Sequence, residues 1–212
     1  MTTNLENIIT SRFKVCIIED KVFKSAVAIK MFPYENNQPH DSYLNENRFS
    51  CLSHPHIVKV IETHDKYIVS QGREGKHPSP HSVIKMELAK HGDFSKWIHL
   101  LKDDLALART YFRQLVDAVD FIHNQDMYHM DLQVSNLLLD NNFNLRLCDF
   151  DQACMSYDPI ITQVGSENYR APEVLKKKIG TLESVDVYSL GIILFKFVVG
   201  RLPYIENIAI EG

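Results

Sequence analysis

Two carboxylates and a carboxamide lie close together in the second half of the sequence. Asp131 and Asn136 belong to one short segment, and Asp149 follows a little further along the chain. The apolar run Leu137-Leu138-Leu139 comes directly after Asn136, which predicts a buried strand with the polar residues on the loops around it. Carboxylate and amide oxygens are the ligands that Mg²⁺ prefers, and a carboxylate can accept a hydroxyl proton. The set is therefore suited to holding a magnesium-bound nucleotide and deprotonating a hydroxyl group.

The segments around this set predict an α+β fold. Residues 41–52 are polar and helical in character, residues 70–81 predict an exposed loop, and a last helix is predicted at 185–199. Behind Asp104, a candidate N-cap, apolar residues recur at helical spacing to about Asn124. Strands are predicted from β-branched, aromatic or apolar runs at 13–18, 25–32, 57–63, 82–88, 137–139 and 145–148. Strands first and helices afterwards is the order of an α+β chain.

Composition limits the classes of function. Hydrophobic residues make up 45% of the chain and charged residues 24%, and the formal net charge of −4 gives no support for a nucleic-acid or membrane-surface partner. The N-terminus lacks the basic flank and apolar block of a signal peptide, and the apolar stretch 188–200 is too short to span a bilayer. The cysteines form no C-x-x-C pair, which indicates reduced thiols. We therefore expect a soluble, cytoplasmic protein.

Three motifs, in this order, resemble the signature of the eukaryotic protein kinase superfamily. His129-Met130-Asp131-Leu132-Gln133-Val134-Ser135-Asn136 is similar to H-R-D-L-x-x-x-N, Asp149-Phe150-Asp151 to D-F-G, and Ala171-Pro172-Glu173 to A-P-E. The run Gly165-Ser166-Glu167-Asn168-Tyr169-Arg170 looks like the substrate loop of serine/threonine-type members. The resemblance implies a two-lobed fold, with a small β-rich N-lobe and a helical C-lobe, that binds ATP and Mg²⁺ and phosphorylates protein substrates.

The resemblance assigns roles to the polar residues. Asp131 matches the catalytic base, and Asn136 and Asp149 match the two Mg²⁺ ligands. Lys30, in Val27-Ala28-Ile29-Lys30, matches the lysine that pairs with the α/β-phosphates of ATP. Glu46 is the candidate for the helix glutamate that holds this lysine. That match requires a one-residue deletion, because ungapped alignment gives Asn45, and the alternative for Glu46 is a surface charge.

Other positions are implied to contact the adenine ring. Val15, Ala28 and Leu138 would sandwich it, although plain core packing explains the same residues. Met86 would be the gatekeeper before Glu87-Leu88-Ala89, whose backbone groups would contact the ring edge. By this resemblance residues 1–86 form the N-lobe, residues 87–91 the hinge and residues 92–212 the C-lobe. We expect that C-lobe to be incomplete, because the family's large lobe continues through several further helices.

Several positions depart from the family's pattern. No glycine precedes Gly72, so the Gly-rich phosphate loop is missing and amide contacts to phosphate should weaken. Gln133 replaces a lysine beside the transferring phosphate, and a neutral amide cannot offset charge as an ammonium does. Asp151 replaces the glycine of D-F-G, which costs backbone freedom and adds a carboxylate near the metal. Met130 replaces the arginine that reads a phosphorylated loop, whereas Thr162 occupies the family's regulatory phosphorylation position.

Two functions of different classes remain open at this point. The first is a serine/threonine kinase that transfers the γ-phosphoryl group of ATP to protein hydroxyls, with activity impaired by the departures. The alternative is a pseudokinase, which uses the same fold as a nucleotide-binding or scaffolding module. The matched lysine, base and metal ligands favour the enzyme, and the missing glycines, Gln133 and Asp151 favour the scaffold. A third interpretation is a non-functional copy. Substrate, pathway and oligomeric state are not indicated by the sequence.

Overall fold

The first half of the chain forms an antiparallel β-sheet with a short helix beside it. The computed structural model describes residues 6–9, 13–20, 25–69, 79–159, 165–176 and 180–203. The elements of the first half are β1 (Glu6–Ile9), β2 (Lys14–Asp20), β3 (Ser25–Glu35), β4 (Gln38–Pro39), α1 (Asp41–Arg48), β5 (Val60–Val69) and β6 (Ser79–Glu87). The strand order is β1-β2-β3-β6-β5, and β4 pairs with β3. This order makes β3 a central strand, enclosed by neighbours on both edges.

The central position of β3 explains why its lysine is buried. Val27, Ala28 and Phe32 are buried on this strand, and Lys30 between them is only 5% exposed. In the sheet register Lys30 lies opposite Val15 on β2 and opposite Ile84 on β6. A charged side chain in such a place needs partners, because an unpaired buried charge is very costly. The fold therefore requires carboxylates near the end of this side chain.

Most of the predicted strands of the sheet are confirmed, with one correction. The runs 13–18, 25–32 and 82–88 fall on β2, β3 and β6, but the strand predicted at 57–63 begins only at Val60. Ile57 instead forms an isolated parallel bridge with Leu147, and Val58 N donates to Leu147 O at 2.9 Å. Both bridged side chains are buried, so the apolar run leaves the sheet to join the core of the second half. Of the predicted loop 70–81, residues 70–78 lie outside the described residues. The last three, 79–81, belong to β6.

The second half of the chain is mainly helical, with small sheets that fix its loops. Its strands and α-helices are β7 (Gly92–Asp93), α2 (Leu105–His123), β8 (Met127–Tyr128), β9 (Leu137–Leu139), β10 (Leu145–Leu147), β11 (Cys154–Met155), α3 (Pro172–Leu175) and α4 (Leu182–Val199). Short 3₁₀ helices cover Phe94–Leu100, Val134–Asn136 and Glu167–Tyr169. One sheet has the order β10-β9-β7, and β11 pairs with β8. The polar residues singled out above lie on the loops beside these short strands.

The two long helices begin at side-chain caps. The Asp104 carboxylate accepts a hydrogen bond from Leu107 N at 2.9 Å, which confirms the predicted start of α2. The hydroxyl of Thr181 accepts from Ser184 N at 3.2 Å, and α4 therefore starts a little before the predicted residue 185. Gly200 ends α4 with a φ of 80°, the left-handed conformation that glycine adopts without strain.

One apolar cluster connects the two halves. Phe49, Leu52 and Ile57 from the first half pack with residues of α2, α4, β9 and β10. The mixed architecture, with an antiparallel sheet first and helices afterwards, confirms the α+β fold class. No helix within the described residues has the length and apolar character needed to cross a membrane.

We expect loss of the α2 cap to destabilise the chain locally. Asp104→Ala removes the acceptor for Leu107 N and should lower the free energy of unfolding by about 1 kcal/mol in urea denaturation. Asp103→Ala, at the exposed neighbouring position, is the matched control and should change it by less than about 0.5 kcal/mol. Equal effects of the two substitutions would contradict the capping role.

Candidate active site

A buried lysine lies between carboxylates from both halves of the chain. Lys30 Nζ is 2.5 Å from Glu46 Oε2 and 2.7 Å from Asp149 Oδ1. Lys30 comes from β3, Glu46 from the buried face of α1, and Asp149 from the turn after β10, where its φ is 70°. Lys30 and Glu46 are almost fully buried, while the side chain of Asp149 is 25% exposed. Glu46 is therefore not a surface charge, and Asp149 is the carboxylate of the cluster that solvent reaches.

The charges of this cluster are unbalanced. Burial alone would lower the pKa of Lys30, but the carboxylates of Glu46 and Asp149 outweigh it and raise that pKa above its ordinary value. Burial raises the pKa of Glu46 to about 7, and the charges of Asp149 and Asp151 act in the same direction against the effect of Lys30. Asp151 is itself buried at 7% exposure. Glu46 and Asp149 thus share the one ammonium group of Lys30.

Aromatic rings cover another side of the lysine. The Lys30 ammonium lies 5.0 Å from the centroid of the Phe32 ring and 5.5 Å from that of Phe13. Phe13 packs against Phe32, with ring centroids 4.6 Å apart, and is buried. Both rings lie within the range of a cation–π contact. Phe13, just before β2, therefore helps to enclose the ammonium group, close to the place where the sequence lacks glycines.

The carboxylate of Asp131 is held by hydrogen-bond donors on both oxygens. Oδ1 accepts from Ser166 N at 2.7 Å and from the Ser166 hydroxyl at 2.9 Å. Oδ2 accepts from Gln133 Nε2 at 3.0 Å and from Asn136 Nδ2 at 3.3 Å. Asn136 Nδ2 also donates to Asp131 O at 2.9 Å, so the amide oxygen of Asn136 is its atom suited to a cation. The four residues form one hydrogen-bonded group, with the base candidate at its centre.

Asp186 on α4 fixes the backbone that carries Asp131. Its side chain is fully buried and accepts hydrogen bonds from His129 N at 2.8 Å, from Met130 N at 2.9 Å and from His123 Nε2 at 2.9 Å. Met130 has a φ of 63°, which is costly for an ordinary side chain and needs such support. His129 Nε2 donates to Cys148 O at 3.1 Å and so connects this loop to the residue before Asp149. The loop of the base candidate is thus joined to the segment of Asp149 through His129, whose backbone Asp186 of α4 holds.

Comparison with known proteins identifies the family. The sequence model of the protein kinase domain matches residues 14–211. The chain belongs to the protein kinase family. Over 207 residues it is 33% identical to the carbon catabolite-derepressing protein kinase of Secale cereale, covering 92% of this chain and 38% of that protein.

Two further relatives show the same relationship. Over 203 residues the chain is 34% identical to the serine/threonine-protein kinase SIK2 of Gallus gallus, covering 90% of this chain and 23% of that protein. Over 158 residues it is 37% identical to the CBL-interacting serine/threonine-protein kinase 21 of Arabidopsis thaliana, covering 74% and 35%. The chain therefore spans well under half the length of these curated relatives.

The kinase fold places the predicted adenine contacts on separate elements. Val15 and Ala28 lie on the neighbouring strands β2 and β3, with Ala28 opposite Met86, whereas Leu138 lies on β9 opposite Asp93 and Arg146. Their shared role as an adenine sandwich stays a prediction.

Met86 shares a cavity with two carboxylates of the charged cluster. With Glu46, Asp149 and Phe150 it lines this cavity beside α1. Glu87 N donates to Lys59 O at 3.0 Å, and Gly92 N donates to Ala89 O at 2.9 Å. These two backbone atoms of the predicted hinge segment therefore already have partners.

The departures from the kinase pattern take definite structural forms. Asp149 is the left-handed residue of this segment, and Asp151 is not among the described residues with positive φ, so the arrangement does not require glycine at position 151. Met130 is buried in an apolar cluster where a charged arginine was expected from the family. Thr162 lies outside the described residues.

Ser166, which binds the Asp131 carboxylate twice, was not predicted as a site residue. Its place directly after Gly165 in the quoted substrate-loop motif was the available signal.

The raised pKa of Glu46 predicts a pH dependence of stability. Because the folded pKa of about 7 exceeds the ordinary value of 4.5, the folded state holds this proton more tightly. The contribution to stability is present below about pH 4.5 and is lost as pH rises through about 7. We expect the parent chain to lose stability between pH 5 and pH 8 in thermal unfolding without Mg²⁺, and Glu46→Gln to lose less. Glu35→Gln, at the exposed end of β3, should follow the parent.

Gly165 should not tolerate a side chain. Its φ is 81°, and a Cβ atom there would lie 2.8 Å from Met130 O. We expect Gly165→Ala to lower the free energy of unfolding by about 1–3 kcal/mol in urea. Gly191→Ala is the control: it lies inside α4 with open space around the added atom, and alanine should be neutral there or favourable by up to about 1 kcal/mol. Similar losses in both variants would contradict the assigned strain.

Proposed function

We propose that this kinase domain is a serine/threonine kinase that binds Mg²⁺ and ATP and transfers the γ-phosphoryl group to protein hydroxyls. The observation that carries the proposal is the Lys30 ammonium paired with Glu46 and Asp149. This pairing brings together three positions that match the family's phosphate-binding and cation-binding residues, and the side chain of Asp149 remains 25% exposed. The proposal includes the division of the chain into an N-lobe at 1–86, a hinge at 87–91 and a C-lobe from 92.

Lys30 would hold the α/β-phosphates of the nucleotide, with Glu46 keeping the ammonium in position. Asn136 and Asp149 are hard oxygen donors and fit Mg²⁺, which when bound neutralises charge on the phosphates. Within the described ranges, no three His, Cys, Asp or Glu side chains converge as a metal centre. Protein ligands alone would then leave the coordination incomplete, and phosphate oxygens would supply the remainder. Val15, Ala28, Met86 and Leu138 would give apolar contacts to the adenine, and the backbone of Glu87 and Ala89 would contact its edge.

Asp131 would accept the proton of the substrate hydroxyl while the hydroxyl oxygen forms its bond to the γ-phosphorus and ADP leaves. Ser166 and Gln133 orient its carboxylate. Because both oxygens already accept hydrogen bonds, the incoming hydroxyl must replace one donor, and the rotatable Ser166 hydroxyl is the simplest to replace. Gln133 adds a dipole and no charge, so charge developing on the phosphoryl group is stabilised less than by an ammonium.

The second candidate function is a pseudokinase that binds partners through the same fold. One observation favours it: the Lys30 ammonium is enclosed by two carboxylates and two aromatic rings. Asp149 and Phe13 would therefore compete with a phosphate for contact with the ammonium. Gln133 and the absence of glycine before Gly72 point in the same direction.

Substitutions separate the two functions through binding and transfer. We expect a thermal shift that needs both ATP and Mg²⁺ and disappears in Lys30→Ala. Asp131→Asn should keep this shift but lower phosphotransfer at least about 100-fold, because only the base contacts the hydroxyl. Asp149→Asn should weaken both, because it removes charge from the cation site. Gln133→Lys should raise the transfer rate about 100-fold, since a cation beside the transferring group stabilises the transition state.

The controls decide between enzyme and scaffold. Asp103→Asn, an exposed carboxylate substitution in the turn before α2, should change neither binding nor transfer. Transfer would be measured with radiolabelled ATP and generic protein substrates, in Mg²⁺ and in Mn²⁺. If neither the parent chain nor Gln133→Lys transfers phosphate under these conditions, the kinase function is refuted and the pseudokinase function remains.

A further inference from the structure

Helix α1 is tied to the segment that follows Asp149. Arg48 Nη2 donates to Asp158 Oδ1 at 3.0 Å and to Oδ2 at 2.9 Å, and Arg48 Nη1 donates to Asn45 Oδ1 at 3.0 Å. Asn45 Nδ2 in turn donates to Asp151 O at 2.9 Å and to Ala153 O at 2.8 Å. Two side chains in the C-terminal half of α1 thus hydrogen-bond to three residues of the segment that follows Asp149. We call this set of contacts the α1 clasp.

The far end of the clasp is itself anchored near the catalytic loop. Asp158 Oδ2 accepts from Met155 N at 2.8 Å, and Asp158 N donates to Met155 O at 3.0 Å. Met155 lies on β11, which pairs with β8 through Cys154 opposite Tyr128 and Met155 opposite Met127. β8 leads directly into the loop that carries Asp131. The clasp therefore connects α1 to the base through a short, ordered path.

The helix needs such an external support. An eight-residue helix is too short to be stable alone, and this one holds the buried carboxylate of Glu46 against Lys30. If α1 moved away, Lys30 and Glu46 would each lose a partner. The clasp acts at Asn45 and Arg48, on either side of Glu46 along the chain. Its position is suited to fixing the helix rotation that directs Glu46 inwards.

The segment is docked by groups of the chain itself. Met130 packs with Cys154, Ala171, Val174 and Val185 in an apolar cluster, at the position where the family's pattern has a phosphate-reading arginine. Asp158 provides the negative charge that Arg48 binds, and the side chains of Arg48 and Asp158 are 39% and 19% exposed. Apolar packing and one carboxylate thus both hold the described part of this segment.

We propose that Asn45, Arg48 and Asp158 are positioning residues that keep Glu46 paired with Lys30, and that they do so with no phosphate on the segment. This inference rests on the proposed function for its catalytic meaning, since the pair would hold the nucleotide phosphates. The contacts themselves and their effect on α1 are independent of that function.

Hydrogen exchange of α1 tests the clasp without any nucleotide. Arg48→Gln and Asp158→Asn should each speed amide exchange in residues 44–48 about threefold or more, while α2 exchanges as in the parent. The double variant should be no faster than the faster single variant, because both singles remove the same contact. Arg48→Lys should protect the α1 amides from exchange better than Arg48→Gln does, because the lysine keeps the positive charge. Arg109→Gln, an exposed arginine on α2, is the matched control and should leave α1 unchanged.

Other results of the exchange experiment would overturn the proposal. Unchanged α1 exchange in both single variants would show that the clasp does not hold the helix. Additive effects in the double variant would show that the two residues act separately. Equal acceleration in α1 and α2 would indicate a loss of global stability and no positioning role. Faster α1 exchange in Thr162→Ala would show that this threonine, and not Asp158 alone, supports the helix.

Nucleotide measurements separate failure of the clasp from failure of the proposed function. In Arg48→Gln and Asp158→Asn we expect the KM for ATP to rise about fivefold, with kcat retained at saturating ATP because Asp131 is untouched. If the parent chain neither binds nor uses Mg²⁺ and ATP, the proposed function fails, and the exchange experiment alone decides the clasp. If the parent is active and kcat falls with KM unchanged, the positioning role is refuted.

Discussion

A buried lysine paired with two carboxylates from distant parts of the chain is the constraint on which the rest of the structure depends. Lys30 lies on β3, Glu46 on α1, and Asp149 after β10, so the sheet, the helix and the second half meet at one ammonium group. Removing such charges from water is costly, and only close pairing offsets the cost. Displacing β3 or α1 would separate Lys30 from Glu46, and displacing the segment after β10 would remove Asp149 from Lys30. The sheet order that encloses β3, the apolar cluster joining the halves and the contacts at the end of α1 all preserve this pairing.

The site combines a charged part and a neutral part with different physical tasks. The charged part pairs the carboxylates of Glu46 and Asp149 with one ammonium group, and burial raises the pKa of Glu46. The neutral part surrounds Asp131 with hydroxyl, amide and backbone donors, which fix the carboxylate without neutralising it. Asp186, buried in α4, supports the loop between the two parts.

The chain departs from its family mainly in how the phosphate-handling groups are replaced. An apolar methionine at 130 and an aromatic ring at Phe13 stand where charged or glycine residues were expected, and both are buried. These substitutions favour internal packing over contacts to phosphate. The Arg48–Asp158 pair adds a contact between α1 and the segment that follows Asp149.

Sequence alone was sufficient for the family, the α+β class and the three longest helices, because these follow from local motifs, caps and hydrophobic periodicity, whereas the short α3 was not predicted. The start of α2 at Asp104 was read from its cap, whereas the start of β5 was missed because Ile57 pairs with Leu147, far away along the chain. Only the tertiary structure decided between Asn45 and Glu46. One residue of shift along a helix turns the side chain by about 100°, which no counting along the sequence can resolve without knowing which face is buried. The contact between Asp158 and Arg48 of α1 likewise depended on the tertiary fold, which brings together residues that lie far apart in the sequence.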